Sequence, residues 1–173
     1  MKSSDILIRR LGVPDAAVYR EFRLRGLREH ADAFTSSFEE ENLRALADTE
    51  KRLSPAGDTV MWSAFVDGAM AGVVGLNRET RLKNRHKATL VAMYVAPEYQ
   101  GRGIGRALVG KVQDEARAGG VELLVLTVTA GNREASALYE KCGFKSFGIE
   151  PDAIRVNNVS YGKQHMYFQV APL

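Results

Sequence analysis

The stretch that decides the fold is residues 90–110, which read LVAMYVAPEYQGRGIGRALVG. An apolar run typical of a strand ends at Pro97, and a turn of alternating glycines and arginines leads into an amphipathic segment typical of a helix. The first amides of a helix lack partners within it, and the helix dipole adds partial positive charge there. Arg102 and Arg106 add full charges. This order of elements predicts a phosphate-binding site.

The segments after the glycine turn predict a helix over residues 103–118 and a strand over residues 121–129. Gly119-Gly120 ends the helix. Its apolar positions recur every four residues: Ile104, Leu108 and Val112. The strand is almost continuously apolar, as expected of a strand buried on both faces. A strand, a helix and a strand in succession predict a right-handed crossover between parallel strands.

Two helices are expected before the decisive stretch, over residues 15–29 and 37–53. The first carries Val18 and Phe22 on one face among many arginines. Two serine–glutamate pairs before the second show the capping-box pattern: Ser36 with Glu39, and Ser37 with Glu40.

Strand-like segments surround these helices. Asp67-Gly68 is a strong signal for a tight hairpin, so the middle of the chain predicts an antiparallel meander. A short helix over residues 132–141 ends near Gly143, and the last two strands predict a hairpin with a long loop. The strands not yet named are expected over residues 5–11, 59–66, 69–77, 86–95, 144–149 and 160–170. Residues 1–173 are expected to form one mixed α/β domain.

Composition narrows the class of protein. The net charge of +3 is spread along the chain, so no nucleic-acid partner is expected. Cys142 is the one cysteine, which excludes an internal disulfide and a thiolate zinc site. Met1–Arg10 does not resemble a signal peptide, and no apolar run approaches the roughly 20 residues of a membrane span. We therefore expect a cytoplasmic protein without a membrane partner.

Other glycine-rich motifs fit the turn poorly. The dinucleotide fingerprint needs a small residue where Arg106 stands, and the P-loop needs a Gly-Lys-Ser/Thr sequence that the chain lacks. Turn glycines that bind no ligand remain an alternative.

Residues 93–108 resemble the acetyl-CoA site of the GCN5-related N-acetyltransferases. The family signature is Gln or Arg, two residues, Gly, one residue, then Gly or Ala, and it is met by Gln100, Gly103 and Gly105. The resemblance continues through the strand around Leu126, the helix opening at Asn132 and the ALYEKCGF sequence that follows. It is specific over residues 90–147 and looser elsewhere.

This resemblance implies a mixed, mostly antiparallel seven-stranded sheet, with a parallel fourth and fifth strand that splay apart and about four flanking helices. It implies acetyl-CoA as cosubstrate and no metal. Pantetheine would pair with the strand backbone at Met93, Tyr94 and Val95. The pyrophosphate would lie on the glycine turn and helix start: Gln100, Gly101, Arg102, Gly103, Ile104, Gly105 and Arg106. Asn132 would contact the cofactor, and Tyr139 would be the general acid.

The general base and the acceptor are left open. Residues 85–95 contain no Asp or Glu, and Thr89 stands where some family members carry a glutamate. Either a water chain relays the proton or a carboxylate arrives from the first helices, where Glu39, Glu40 and Glu41 are candidates; Glu79 and His86 are further, weaker ones. The leading function is acetyl transfer to the primary amine of a small molecule or peptide in a ternary complex. A non-catalytic acyl-CoA sensor is the alternative, and a homodimer is expected.

Overall fold

The computed structural model describes residues 5–170 and contains one seven-stranded sheet. The strands are β1 Ile6–Arg10, β2 Thr59–Val66, β3 Ala69–Arg78, β4 Lys87–Val95, β5 Leu123–Thr129, β6 Lys145–Val156 and β7 Val159–Gln169. Their order is β1-β2-β3-β4-β5-β7-β6; β4 and β5 are parallel, and the other neighbours are antiparallel. The predicted fold class is confirmed. The extent of the domain stays a prediction, as does the expectation for Met1–Arg10, because residues 1–4 and 171–173 lie outside the described residues.

The helices are α1 Ala16–Glu29, α2 Phe38–Leu43, α3 Leu46–Leu53, α4 Ile104–Ala118 and α5 Arg133–Lys141. The predicted single helix over residues 37–53 is wrong, because the backbone is extended at Arg44 and Ala45. Arg20 of α1 donates to the carbonyl oxygens of Asn42 and Arg44 over 3.0 Å each. A tertiary contact thus satisfies carbonyls that a continuous helix would have bonded itself.

The sheet is covered on both faces, because successive residues of a strand point to opposite sides. Trp62 packs with α4, whereas its neighbour Met61 packs with α1 and α3. On α1 the buried stripe includes Tyr19 and Phe22, while Val18 is 54% exposed and does not join it. Two separate cores therefore fix the middle of the sheet from either side.

Strand β5 is buried less completely than its apolar sequence predicts. Leu124, Leu126 and Val128 are buried, whereas on the opposite face Leu123 and Val125 are half-buried and Thr127 is exposed. The expectation of burial on both faces is therefore wrong at this strand. The reason is that β5 separates from β4 after Thr89, so part of one face borders an open cleft.

The last two strands form a longer hairpin than predicted. They extend into the expected loop and meet at Asn157-Asn158, whose φ angles of 50° and 64° suit a tight turn. Pro151 lies where the register shifts between Glu150 and Ile154. A proline is tolerated there because β6 is an edge strand and the ladder is already interrupted.

Candidate active site

A cavity of about 920 Å³ opens where the parallel strands separate. Strands β4 and β5 pair only at three positions, the last being Thr89 with Val125. Beyond that point residues 89–95 of β4 form one wall, and Thr127 and Val128 form part of the other. The predicted splay is therefore present, and it leaves a volume within the usual range for a small-molecule site.

A β-bulge shapes the β4 wall. Val73 pairs with Tyr94 and Gly75 with Val91, so β4 carries one extra residue between these pairs. Ala92 lies in the bulge with a left-handed φ of 56°. A bulge disrupts the ladder locally and re-aims the groups beside it. Ala92 and Met93 therefore lack a paired residue on β3, and on the cleft side β4 has no partner strand beyond Thr89.

The glycine turn closes one end of the cavity. Gly101 and Gly103 line it, with φ angles of 75° and 77°. A Cβ at either position would meet no atom within 4 Å, so the backbone conformation and not space calls for glycine. Gly103 is the N-cap of α4, and within residues 5–170 no side chain caps this end. The amides of the first turn of α4 are thus free to bind an anion.

The other predicted residues of the turn have different surroundings. Gln100 and Arg106 line the cavity, whereas the Arg102 guanidinium lies 5.5 Å from the centre of the Tyr99 ring and away from the cavity wall. Ile104 also lines the cavity, but its side chain is buried in the core. A Cβ on Gly105 would lie 3.1 Å from Leu138 Cδ2, so this glycine allows α4 and α5 to pack closely.

Helix α5 contributes Asn132 and Tyr139 to the same cavity. Asn132 Oδ1 accepts from the Ala135 amide over 3.1 Å and caps the helix. Tyr139 is 6% exposed and packs edge-on against Phe144. Burial, followed by the nearby Cys142 thiol, raises the pKa of the Tyr139 phenol. The phenol is therefore protonated at neutral pH, as a proton donor must be.

Tyr94 faces the opposite side of the cavity, towards α1. Its ring packs against Phe22 and Phe34, and its hydroxyl lies 3.2 Å from Glu29 Oε2. Burial, and then the charge of Glu29, raise the pKa of Tyr94 to about 12. The sequence predicted a role for the Tyr94 backbone only; its side chain joins the sheet to the N-terminal helices.

The cavity offers few groups that could act as a base. Glu134 is the one carboxylate among the described lining residues, and Glu39, Glu40 and Glu41 do not line it. His30, at the end of α1, does line it and has its ring 5.8 Å from that of Tyr94. Sequence reasoning missed His30 because nothing in its local sequence marks it; only the packing of α1 on β4 brings it here.

Four cations on the cavity wall were also missed: Arg23, Arg52, Lys141 and Lys163. Lys163 is 5% exposed and donates to Thr129 Oγ1 over 3.1 Å, and burial lowers its pKa. Arg23 is 9% exposed, with its guanidinium 4.7 Å from the centre of the Phe34 ring. The sequence did contain a signal for Arg23, because it lies four residues from both Tyr19 and Leu27 on the buried stripe of α1.

No helix in residues 5–170 is long and apolar enough to cross a membrane. In the same residues, no group of three or more His, Cys, Asp and Glu side chains is arranged to hold a metal ion.

These features place a glycine turn and uncapped helix amides, which could bind a phosphate, beside two splayed parallel strands. A model of the acetyltransferase (GNAT) family matches residues 24–144, and the chain therefore belongs to this family. The family prediction is confirmed. Acetyltransferases of this family use acetyl-CoA as cosubstrate, so the predicted cofactor is confirmed at the level of the family.

Individual proteins resemble the chain over different lengths. The ribosomal protein bS18-alanine N-acetyltransferase of Escherichia coli (strain K12) is 48% identical over 63 residues, which are 36% of this chain and 43% of that relative. The match thus spans less than half of the relative. A GNAT-family acetyltransferase from Streptococcus pneumoniae has a TM-score of 0.87 at 25% identity, covering 96% of this chain and 100% of that one. The yncA protein of Salmonella typhimurium, solved with its cofactor acetyl-CoA, has a TM-score of 0.78 at 21% identity over 96% of this chain and 94% of its own.

Proposed function

We propose that the protein is an acetyl-CoA-dependent N-acetyltransferase that acts on a primary amine by direct transfer in a ternary complex. The observation that carries this proposal is a single cavity lined both by the glycine turn at the start of α4 and by residues 30–36 after α1. Donor and acceptor can therefore occupy one space at the same time. Family membership and the named N-acetyltransferase relative support the same reaction class.

The cofactor residues fit a ligand with phosphates and amides. The uncapped amides of α4 and the Arg106 side chain would hold pyrophosphate, and the freed backbone of β4 from Met93 to Val95 would pair with pantetheine. Gln100 and Asn132 line the same space, whereas Arg102 would act through long-range charge. Acetyl-CoA, when bound, supplies the acetyl group as a thioester.

Two side chains have the chemistry that proton transfer requires. An alkyl ammonium must lose a proton before its nitrogen can attack, and His30 is the base that the cavity offers on the acceptor side. Tyr139, a phenol that is protonated at neutral pH, would donate to the departing sulfur, whose thiol has an ordinary pKa of roughly 8.5. The C–S bond of the thioester breaks as the N–C bond forms, and the acceptor nitrogen loses two protons in all. His30 would take the first, and the second would replace the proton that Tyr139 gives to the sulfur.

A titration and a turnover assay together test this proposal. We expect CoA binding in isothermal titration and thiol release with at least one member of an amine panel. Replacing Tyr139 with Phe should preserve CoA affinity and lower kcat about 100-fold. Tyr167→Phe is the matched control, because Tyr167 packs on Phe147 away from the cavity. CoA binding without thiol release for any amine would instead support the sensor alternative.

We also propose that the protein forms a homodimer through the β6–β7 hairpin. Phe147 and Ile149 are 61% and 65% exposed on the edge strand β6, where a second copy could cover them. Light scattering should give a dimer for the wild type and a monomer for Phe147→Glu. A monomeric wild type at micromolar concentration would contradict the proposal. A cytoplasmic location stays a prediction from cysteine usage.

A further inference from the structure

Five of the six Arg, Lys, Asp and Glu side chains that line the cavity among the described residues are cations: Arg23, Arg52, Arg106, Lys141 and Lys163. Arg23, Arg52 and Lys163 reach it from α1, α3 and β7. The one carboxylate among the described lining residues is Glu134 of α5, the helix that packs against the glycine turn. The part of the cavity bordered by the N-terminal helices is therefore cationic, although the ligand proposed to enter it must carry an amine.

The two arginines hold most of the buried polar atoms that have no hydrogen-bond partner. Residues 5–170 contain five such side-chain atoms, and four of them lie together: Tyr19 Oη, Arg23 Nε, Arg23 Nη1 and Arg52 Nε. A buried donor left without a partner costs about as much as a lost hydrogen bond, and more when it is charged. Tyr19, Arg23 and Arg52 all border one small void, where buried water can supply acceptors. Arg23 and Arg52 also line the large cavity, where a ligand can bind the rest of each guanidinium.

Neighbouring carboxylates do not neutralise Arg23. Glu41 and Asp48 border a small void of about 30 Å³ beside both arginines. Glu41 lies 3.7 Å from the Arg44 guanidinium, and within the described residues no carboxylate oxygen comes within 4.0 Å of Arg23. The void has room for water at most, so it cannot hold a counter-charge larger than a small ion.

We propose that Arg23 and Arg52 bind a carboxylate of the acceptor, so that the acceptor is an amine with a free carboxylate, such as an amino acid. This inference rests on the proposed acetyl transfer. A guanidinium binds a carboxylate through charge-assisted hydrogen bonds, and here the nitrogens other than the buried Nε and Nη1 of Arg23 and Nε of Arg52 would make them. Polyamines and aminoglycosides would bring several positive charges into a cavity lined by five Arg and Lys side chains, of which Arg23 and Lys163 are largely buried. Arg52 and Lys163 add attraction for the anion.

Matched acceptors test the carboxylate directly. Thiol release from acetyl-CoA is measured for each standard amino acid and its primary amide, with spermidine, kanamycin and a blocked lysine peptide as comparators. The amide keeps the side chain and the amine but removes the negative charge, and its amine is less basic, so its intrinsic reactivity at neutral pH is higher. We expect at least one amino acid to exceed its amide about 10-fold or more in kcat/KM.

Arginine variants assign that preference to the proposed residues. Arg23→Met should raise KM for the preferred amino acid about 10- to 100-fold and leave both KM for its amide and the affinity for CoA unchanged. Arg23→Lys, which keeps the positive charge, should raise KM for the amino acid less. Arg28→Met is the matched control, because Arg28 is an exposed arginine of the same helix that does not line the cavity. Arg52→Met should give a smaller effect in the same direction.

The outcomes separate this inference from the proposed function. Equal or better turnover of amides, polyamines or the peptide would overturn the carboxylate site and leave acetyl transfer standing. An equal loss by Arg23→Met for acids and amides would reduce Arg23 to a structural role. Binding of N-acetyl amino acids and their amides, measured by titration in the presence of CoA, decides the case in which no amine turns over. Preference for the acid would then support the site without catalysis, and no preference would overturn it.

Discussion

Replacing Gly103 with Ala should weaken the protein and its cofactor site together. Gly103 has a φ of 77° and is the N-cap of α4. An added Cβ meets nothing within 4 Å, so the cost comes from backbone conformation alone. A non-glycine residue in the left-handed region costs roughly 1–2 kcal/mol, and the lower chain entropy of the unfolded alanine variant returns about 0.4–1 kcal/mol. The net loss of stability should be about 1 kcal/mol.

Gly110 supplies the matched control in the same helix. It lies in the interior of α4, and a Cβ there also meets nothing within 4 Å. Because alanine is favoured over glycine inside a helix, Gly110→Ala should stabilise the protein by about 1 kcal/mol. The same chemical change thus has opposite signs at two positions of one helix.

Urea unfolding and thermal melts measure this contrast. The two variants should differ by about 2 kcal/mol, which corresponds to about 4–8 °C in Tm for a chain of this size. CoA titration should show weaker binding for Gly103→Ala only, because the amides around the turn would shift. Equal stabilities would refute the account of the turn. Lower stability of Gly103→Ala with unchanged CoA affinity would refute the assignment of the glycine turn as the phosphate-binding site.

Three further predictions concern packing, a buried polar contact and pH. Gly105→Ala places a Cβ 3.1 Å from Leu138 Cδ2 and should lower the free energy of unfolding by about 1 kcal/mol. In a double-mutant cycle, Leu138→Val should recover part of this loss, whereas additive effects would argue against the contact. Thr129→Val should lower the free energy of unfolding in urea by about 1–3 kcal/mol, because it removes the hydroxyl that donates to the Asp32 carbonyl and accepts from buried Lys163. Thr127→Val, at an exposed position of the same strand, should change it little. Arg25 lowers the pKa of Glu98 from 4.5 to about 2, so this pair stabilises the fold above pH 4.5 and its contribution disappears as the pH falls towards 2. Melts of Glu98→Gln should show a shallower stability loss across that window, and a curve parallel to the wild type would contradict the pairing.

Short sequence patterns correctly predicted the turns and helices whose conformation depends on neighbouring residues. Asp67-Gly68 forms the tight turn between β2 and β3, with left-handed φ at both residues. The Ser37 hydroxyl accepts from the Glu40 amide, as the capping box requires. The four-residue spacing of Ile104, Leu108 and Val112 gives the buried face of α4. In each case the residues that decide the conformation are within a few positions of one another.

The wrong predictions concern segments whose conformation depends on residues far away in the sequence. The break between α2 and α3 has no glycine or proline; it depends on Arg20, which is more than 20 residues away in the sequence. A loop was expected after residue 149, yet β6 continues through Pro151, which lies at a register shift on the sheet edge. Neighbouring sequence contains neither piece of information, because each depends on which surface the segment meets after folding.

The same distinction separates the two halves of the candidate site. The predicted cofactor residues come mainly from one continuous segment, Met93 to Arg106, so a motif can encode them. The groups proposed for the acceptor come from α1, α3, the segment after α1 and β7, and no motif joins them. Arg23 looks like a solvated arginine until its position on the buried stripe of α1 is considered. An acceptor site assembled in this way can change through single substitutions on separate elements while the cofactor segment stays intact, so this fold can keep one donor and vary its acceptor. Acceptor identity must therefore be sought in buried charges that lack partners, and in this chain those charges are arginines.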